Sequence, residues 1–301
     1  MATPPRWREV APPPADARGL GTLDGALVAL TGAGLFTLTD AAWARLDVAG
    51  LGASLLPSGR LVIRRVGGPT PASAPAPPPR DGDVVELTAL AIGPDGTAWS
   101  GVRTSGLSFY DAPGPGGLNV MHPAYPVMEH LERDGAVARK RLAVRDLAFD
   151  ARGRLWVATS EGLEVLEDGA WRKPLSQATT QVAIAADGSI VVGAPTAGFR
   201  STDGVTFRSL PTHATEQGSW GSLELDAKNV QQIERAPDGA LWARLGGGVL
   251  TWTGDRWASR NLGLTVILGH GSRSLRTSSL AVTRDDVYVA TSAGVFHRER
   301  D

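Results

Sequence analysis

Three features of the 301-residue sequence predict an all-β fold: a seven-bladed β-propeller of four-stranded antiparallel blades, the last completed by the N-terminal strand. Apolar residues recur with period two rather than 3.6, which marks strands and excludes helical repeats of similar length. A frame of strand, Asp/Gly turn, strand, Thr/Ser-Gly turn, strand, Asp-Gly turn and Trp-bearing strand returns seven times around the unit. The 37 Gly and 21 Pro are 58 of 301 residues, about 19% where about 12% is usual, so turns are frequent.

The best-preserved copy is Arg145–Trp171, RDLAFDARGRLWVATSEGLEVLEDGAW. The first copy, Leu23–Asp47, places Trp43 where this one has Trp171. Further copies are Leu55–Gly68, Leu90–Asp111, Val182–Leu210, Ile233–Leu262 and Leu280–Glu299. Their first-turn markers are Gly25, Gly59, Gly96, Gly153, Gly188, Gly239 and Asp286, at steps of 34, 37, 57, 35, 51 and 47 residues. A unit near 35 residues thus carries three insertions.

The seventh copy stops after three strands, at Phe296-His297-Arg298-Glu299. Residues 6–10 of the segment Pro5-Arg6-Trp7-Arg8-Glu9-Val10 resemble the fourth-strand segments around Trp171 and Trp257, and are expected to complete that last blade and close the ring. Closure removes an exposed sheet edge. In the second unit a Pro-rich stretch, 67–80, stands where a third strand belongs, and proline cannot donate ladder hydrogen bonds. The chain reads as a single domain, 1–301.

Segment Gly153–Leu163 with Asp168-Gly169-Ala170-Trp171 resembles the two-component-regulator propeller repeat, the other copies being degenerate. In that family such propellers usually form extracellular sensor regions ahead of a membrane helix and a kinase. Neither is visible here, so the sensing role does not carry over. Ser201–Phe207, STDGVTF, resembles a shortened Asp-box, a turn-stabilising feature of propellers.

Thirty Lys and Arg against 31 Asp and Glu give a net charge of −1, without the basic surplus of nucleic-acid binding. Cysteine is absent, which removes disulfides, thiol catalysis and Cys-ligated metal centres. No signal-like h-region and no run of 18 apolar residues is present, so a cytoplasmic protein without membrane contact is expected.

In a four-stranded meander the loops after strands two and four share one face. The insertions, about 111–142, 212–227 and 262–274, then crown that face, as does the Pro-rich loop, while short Asp-Gly turns pave the other. Variable loops on a rigid scaffold concentrate function. The crown carries Met121, Tyr125 and Met128, then Trp220, then Val266, Ile267 and Leu268. Either a partner covers these residues or each loop folds onto its own blade.

His122 and His130, with His213 and His270, are weak metal candidates, because an eight-residue separation among prolines is no ligand spacing. Arg64 and Arg244 occupy second-strand positions where the other copies carry Leu30, Gly101, Ala158, Gly193 and Ala290. They either hold an anionic group in the channel or snorkel onto a carbonyl or carboxylate.

The function expected is a non-enzymatic scaffold that binds a protein or peptide through the crown, with no cofactor. The alternative is a small-ligand sensor or a metal-assisted lyase or hydrolase similar to streptogramin lyases. Their His-x-Glu-x-His constellation is missing from this sequence.

Overall fold

The computed structural model describes residues 7–10, 17–39, 42–49, 51–65, 84–94, 98–105, 116–121, 128–131, 144–218, 221–261, 264 and 277–300. It is all-β. After β1 (Arg8–Glu9), one four-stranded antiparallel sheet runs β2 (Ala17–Leu23), β3 (Ala26–Thr31), β4 (Gly34–Thr39) and β5 (Ala42–Arg45). A two-stranded pair follows, β6 (Leu51–Leu55) with β7 (Leu61–Arg65). The next four-stranded sheet holds β8 (Val84–Ile92), β9 (Ala98–Ser105), β10 (Gly116–Met121) and β11 (Met128–Leu131). Another is β12 (Val144–Phe149), β13 (Leu155–Thr159), β14 (Gly162–Glu167) and β15 (Ala170–Leu175). A fourth is β16 (Gln181–Ile184), β17 (Ile190–Gly193), β18 (Gly198–Ser201) and β19 (Arg208–Ser209). The hairpin β20 (His213–Gly218) and β21 (Gly221–Asp226) precedes β22 (Gln232–Arg235), β23 (Leu241–Leu245), β24 (Gly248–Trp252) and β25 (Trp257–Ser259). The last sheet is ordered β1, β28 (Gly294–Glu299), β27 (Asp286–Thr291) and β26 (Thr277–Val282).

The repeated letters build repeated turns. Thr31, Thr159 and Thr291 each donate their hydroxyl to the carbonyl of a Gly three residues on, and accept the N–H two residues on. This local bonding closes the second hairpin of three sheets. In the best-preserved copy, Asp150 accepts from Arg152 N, Arg154 N, Arg154 Nε and Trp156 Nε1, so one carboxylate folds the turn and orients the buried Trp. In the Asp-box-like turn, Asp203 accepts from Val205 N and Thr206 N, and Phe207 meets Trp156 edge-on at 6.1 Å.

Sheets are joined by apolar cores at their mutual faces, because a central strand such as β13 or β23 is buried along its whole length. Clusters centred on Leu155, Trp156, Leu250, Phe296, Leu20 and Leu35 join successive units from β8–β11 around through the last sheet to β2–β5 and the β6–β7 pair. Trp7 is 3% exposed, packs with Phe296, Leu264 and Leu280, and donates Nε1 to Arg260 O. The expected pairing of the N-terminus with the last sheet is present: Arg8 opposes His297 and Glu9 opposes Phe296.

Two segments differ from the frame read in the sequence. The first insertion, 111–142, contains β10 and β11, the third and fourth strands of its sheet. Leu118 and Val120 alternate along β10, the period-two pattern of a strand, and Leu131 of β11 stands opposite Leu118.

The second unit is displaced. Its Gly59 turn should lie on the outer short-turn face, like Gly153 and Gly188, around which a Cβ would meet nothing within 4 Å. Instead a Cβ on Gly59 would fall 2.0 Å from Ser278 O, and β7 runs parallel to β2 through the Leu20–Arg60 bridge. The reason lies in β2: a Cβ on Gly21 would sit 2.1 Å from Leu61 O, so only glycine admits the hairpin backbone there. Arg64 pairs opposite Gly52 on this displaced hairpin, as Ala158 pairs opposite Asp146 in its own sheet.

Among the described residues no helix is long and apolar enough to cross a membrane.

Candidate binding site at the inner strands

A relay of side chains links the first strands of five successive four-stranded sheets, β12, β16, β22, β26 and β2. Asp146 Oδ2 accepts from Val182 N at 3.0 Å, and Gln181 Oε1 from Ile233 N at 3.1 Å. Gln232 Oε1 accepts from Leu280 N at 3.0 Å, and Ser279 Oγ from Leu20 N at 2.7 Å. Each polar residue immediately precedes an apolar one and reaches the N–H of the next strand's apolar residue. Equivalent positions are therefore bonded, and inner strands β12, β16, β22, β26 and β2 lie side by side in one direction. Buried backbone donors left by this geometry are satisfied by side chains.

The turn Ser58-Gly59-Arg60 docks into this arrangement. Ser279 Oγ donates to Gly59 O at 2.5 Å, and Arg244 Nη2 donates to Ser58 O at 2.6 Å. Arg60 forms a bidentate pair with Glu234, Nε to Oε1 at 2.6 Å and Nη2 to Oε2 at 2.9 Å. Glu234 also accepts from Gln232 Nε2. The Glu234 carboxylate holds the Arg60 guanidinium above its usual value against the opposing effect of burial.

Asp146, 5% exposed, has its carboxyl pushed up to about 6 by burial. Arg60 and the Val182 and Leu147 N–H groups pull the other way but do not cancel it. Below its ordinary value near 3.8 the carboxyl is protonated in both states and contributes nothing. Between 3.8 and about 6 the folded chain keeps a proton that the unfolded chain releases, so stability falls as pH rises through this window. Replacing Asp146 by Asn keeps the acceptor for Val182 N without the charge. It should raise the unfolding free energy by about 2–3 kcal/mol at pH 7 and by nothing at pH 3. Urea titrations at both pH values check this, and an unchanged midpoint at pH 7 counts against it.

Of the residues singled out in the sequence, Arg244 is 4% exposed on β23. Besides Ser58 O, it donates to Thr277 O at 2.8 Å and to Gln231 Oε1 at 2.6 Å, and burial pushes its guanidinium down to about 10. Met121 and Met128 are opposed in the β10–β11 ladder, and His130 lies on β11. His213 is exposed on β20. Tyr125, Trp220, Val266, Ile267, Leu268, His122 and His270 lie outside the described residues. Among the described residues no group of three or more His, Cys, Asp or Glu is placed to hold a metal ion.

The feature missed in the sequence is a cleft of about 310 Å³ where the inner strands end. The closing residues of β2, β8, β22 and β26 line it together with Arg60 and β7. It opens where β22 and β26 run into the short turns that lead to β23 and β27. Its only advance signal was the polar-apolar pair common to the inner strands, Asp146-Leu147, Gln181-Val182, Gln232-Ile233 and Ser279-Leu280.

No family model and no curated protein matches the sequence. Among solved structures, PorZ, a bacterial surface component of the type-IX secretion system of Porphyromonas gingivalis, is similar with a TM-score of 0.56 at 15% identity, over 96% of this chain and 47% of that one. The extracellular domain of a two-component-system protein from B. thetaiotaomicron is similar with a TM-score of 0.53 at 11% identity, over 98% of this chain and 42% of that one. Virginiamycin B lyase from Staphylococcus aureus aligns over 98% of both chains at 9% identity and a TM-score of 0.42. The chain spans less than half the length of the first two proteins, and the likeness to them is one of fold. It agrees with the resemblance to two-component-regulator propellers read from the repeat.

Proposed function

We propose that the chain is a seven-bladed β-propeller closed by β1, acting as a non-enzymatic scaffold that docks a protein or peptide through its loop-rich face. Six four-stranded sheets and the β6–β7 pair in the second position support the seven units. The observation carrying the docking role is the β20–β21 hairpin, which belongs to none of the four-stranded sheets. Ala214 and Ala227 at its base are buried in the core shared with Leu210 and Val230. The two strands stay in register out to the Gly218–Gly221 pair, and the chain between those glycines is Ser219-Trp220. A hairpin anchored at its base and bearing Trp at its tip is suited to presenting an interface anchor.

The polar groups at the ring's centre support binding over chemistry, since Arg60, Glu234, Gln232 and Arg244 are consumed by one another and by backbone. Trp220→Asp combined with Ile267→Asp should abolish capture of a partner from lysate of the source cell while leaving the melting temperature within about 2 °C. Undiminished capture by the double variant overturns the reading.

A further inference from the structure

We infer that the cleft at the ends of the inner strands is a second, separate site, which binds a small amphipathic monocarboxylate. It stands apart from the docking reading.

Size comes first. A volume of about 310 Å³ corresponds to about ten waters, enough for a molecule of about a dozen non-hydrogen atoms. This is the lower end of the range for small-molecule pockets.

The walls set the class. One side is Leu61, Val62 and Ile63 of β7 facing Leu90, Ala91 and Ile92 of β8. Ile92 is 55% exposed, an apolar side chain left open to solvent beside the cleft. Successive units elsewhere share an apolar core, but no such cluster among the described residues joins β7 to β8. An apolar body seated between them would shelter this surface.

The charged lining residues are Arg60, Glu234 and Arg235, a balance of one positive charge. Arg60 and Glu234 neutralise each other in their bidentate pair. Arg235 is exposed, and among the described residues its side chain has no ion-pair or hydrogen-bond partner. A guanidinium at the lip of an apolar slot recognises a planar carboxylate through two parallel N–H bonds. The Glu234 carboxylate disfavours a dianion such as a phosphate monoester, since a second negative charge would face it without a further cation. The ligand is therefore a monoanion, with its carboxylate on Arg235 and its apolar part between β7 and β8.

The test is a titration of the full chain with 3-phenylpropionate at pH 7 and low salt, followed by calorimetry or ligand-observed NMR. Saturable binding with a dissociation constant on the order of 1 mM is expected for a probe of this size. Arg235→Gln and Ile92→Ser change exposed side chains and should each weaken it at least about tenfold with the melting temperature unchanged. The alcohol 3-phenylpropanol should bind at least about tenfold more weakly, and inorganic phosphate should not compete. No saturation below about 10 mM overturns the site. Binding insensitive to both substitutions overturns its location. Equal binding of the alcohol, or displacement by phosphate, overturns the carboxylate assignment.

Discussion

Trp7→Ala should lower the unfolding free energy by about 3–5 kcal/mol, the loss typical of a fully buried aromatic side chain cut back to a methyl. Trp7 is 3% exposed, it fills the core around Phe296, Leu264 and Leu280, and its indole N–H is bonded to Arg260 O. The effect extends beyond a cavity, because Trp7 anchors β1, and β1 is the strand that covers the edge of β28. In a chain of this size the melting temperature should fall by on the order of 10 °C. Trp171→Ala is the comparison. That residue is a half-buried repeat Trp on an edge strand and should cost less than half as much. Calorimetric melting of the two variants decides the matter. A Trp7→Ala variant as stable as Trp171→Ala would mean that the N-terminus does not close the last sheet.

Gly59→Ala should be the second most damaging small change, at about 3 kcal/mol. Two costs add. The residue has φ near +89°, which a Cβ disfavours by about 1 kcal/mol. The new methyl would also lie 2.0 Å from Ser278 O, so the turn must retreat by more than an ångström. That movement strains the Arg60–Glu234 pair and the bonds from Arg244 and Ser279 to the turn carbonyls. Gly188→Ala separates the two costs. Its φ is +79° but a Cβ there would meet nothing within 4 Å, so only the backbone cost of about 1 kcal/mol remains. Urea unfolding of both variants gives the difference directly. Equal losses would place the Gly59 turn on the surface with the others.

These two residues also show how differently parts of the fold were legible. Trp7 was readable because the missing fourth strand of the last copy and the orphan strand at the start carry matching letters. The Thr turns at 31, 159 and 291 were readable because their bonds span three residues. Gly59 was misleading. Its Pro-Ser-Gly-Arg stretch has the composition of a surface turn, and only the glycines of β2 and Glu234 of β22, 174 residues away from Arg60, place it inside. The strands β10 and β11 were misread for a related reason. An edge strand is chosen by the ladder offered to it, and a short alternating run inside an insertion carries no mark of its partner.

The candidate sites divide in the same way. Crown residues such as Trp220 and Ile267 could be listed from departures against the repeat, a purely sequential comparison. The cleft of Arg60, Arg235 and Ile92 could not, because its walls come from five strands far apart in the chain.

By itself the sequence determined the all-β class, the repeat unit, the turn chemistry and the N-terminal strand of the last sheet, since each rests on period-two patterning or bonds between near neighbours. Only the tertiary structure decided the slot of the second unit, the relay from Asp146 to Ser279 and the cleft at its end. Those depend on how closely two backbones approach and on which buried donor lacks a partner, quantities that arise when distant strands are brought side by side.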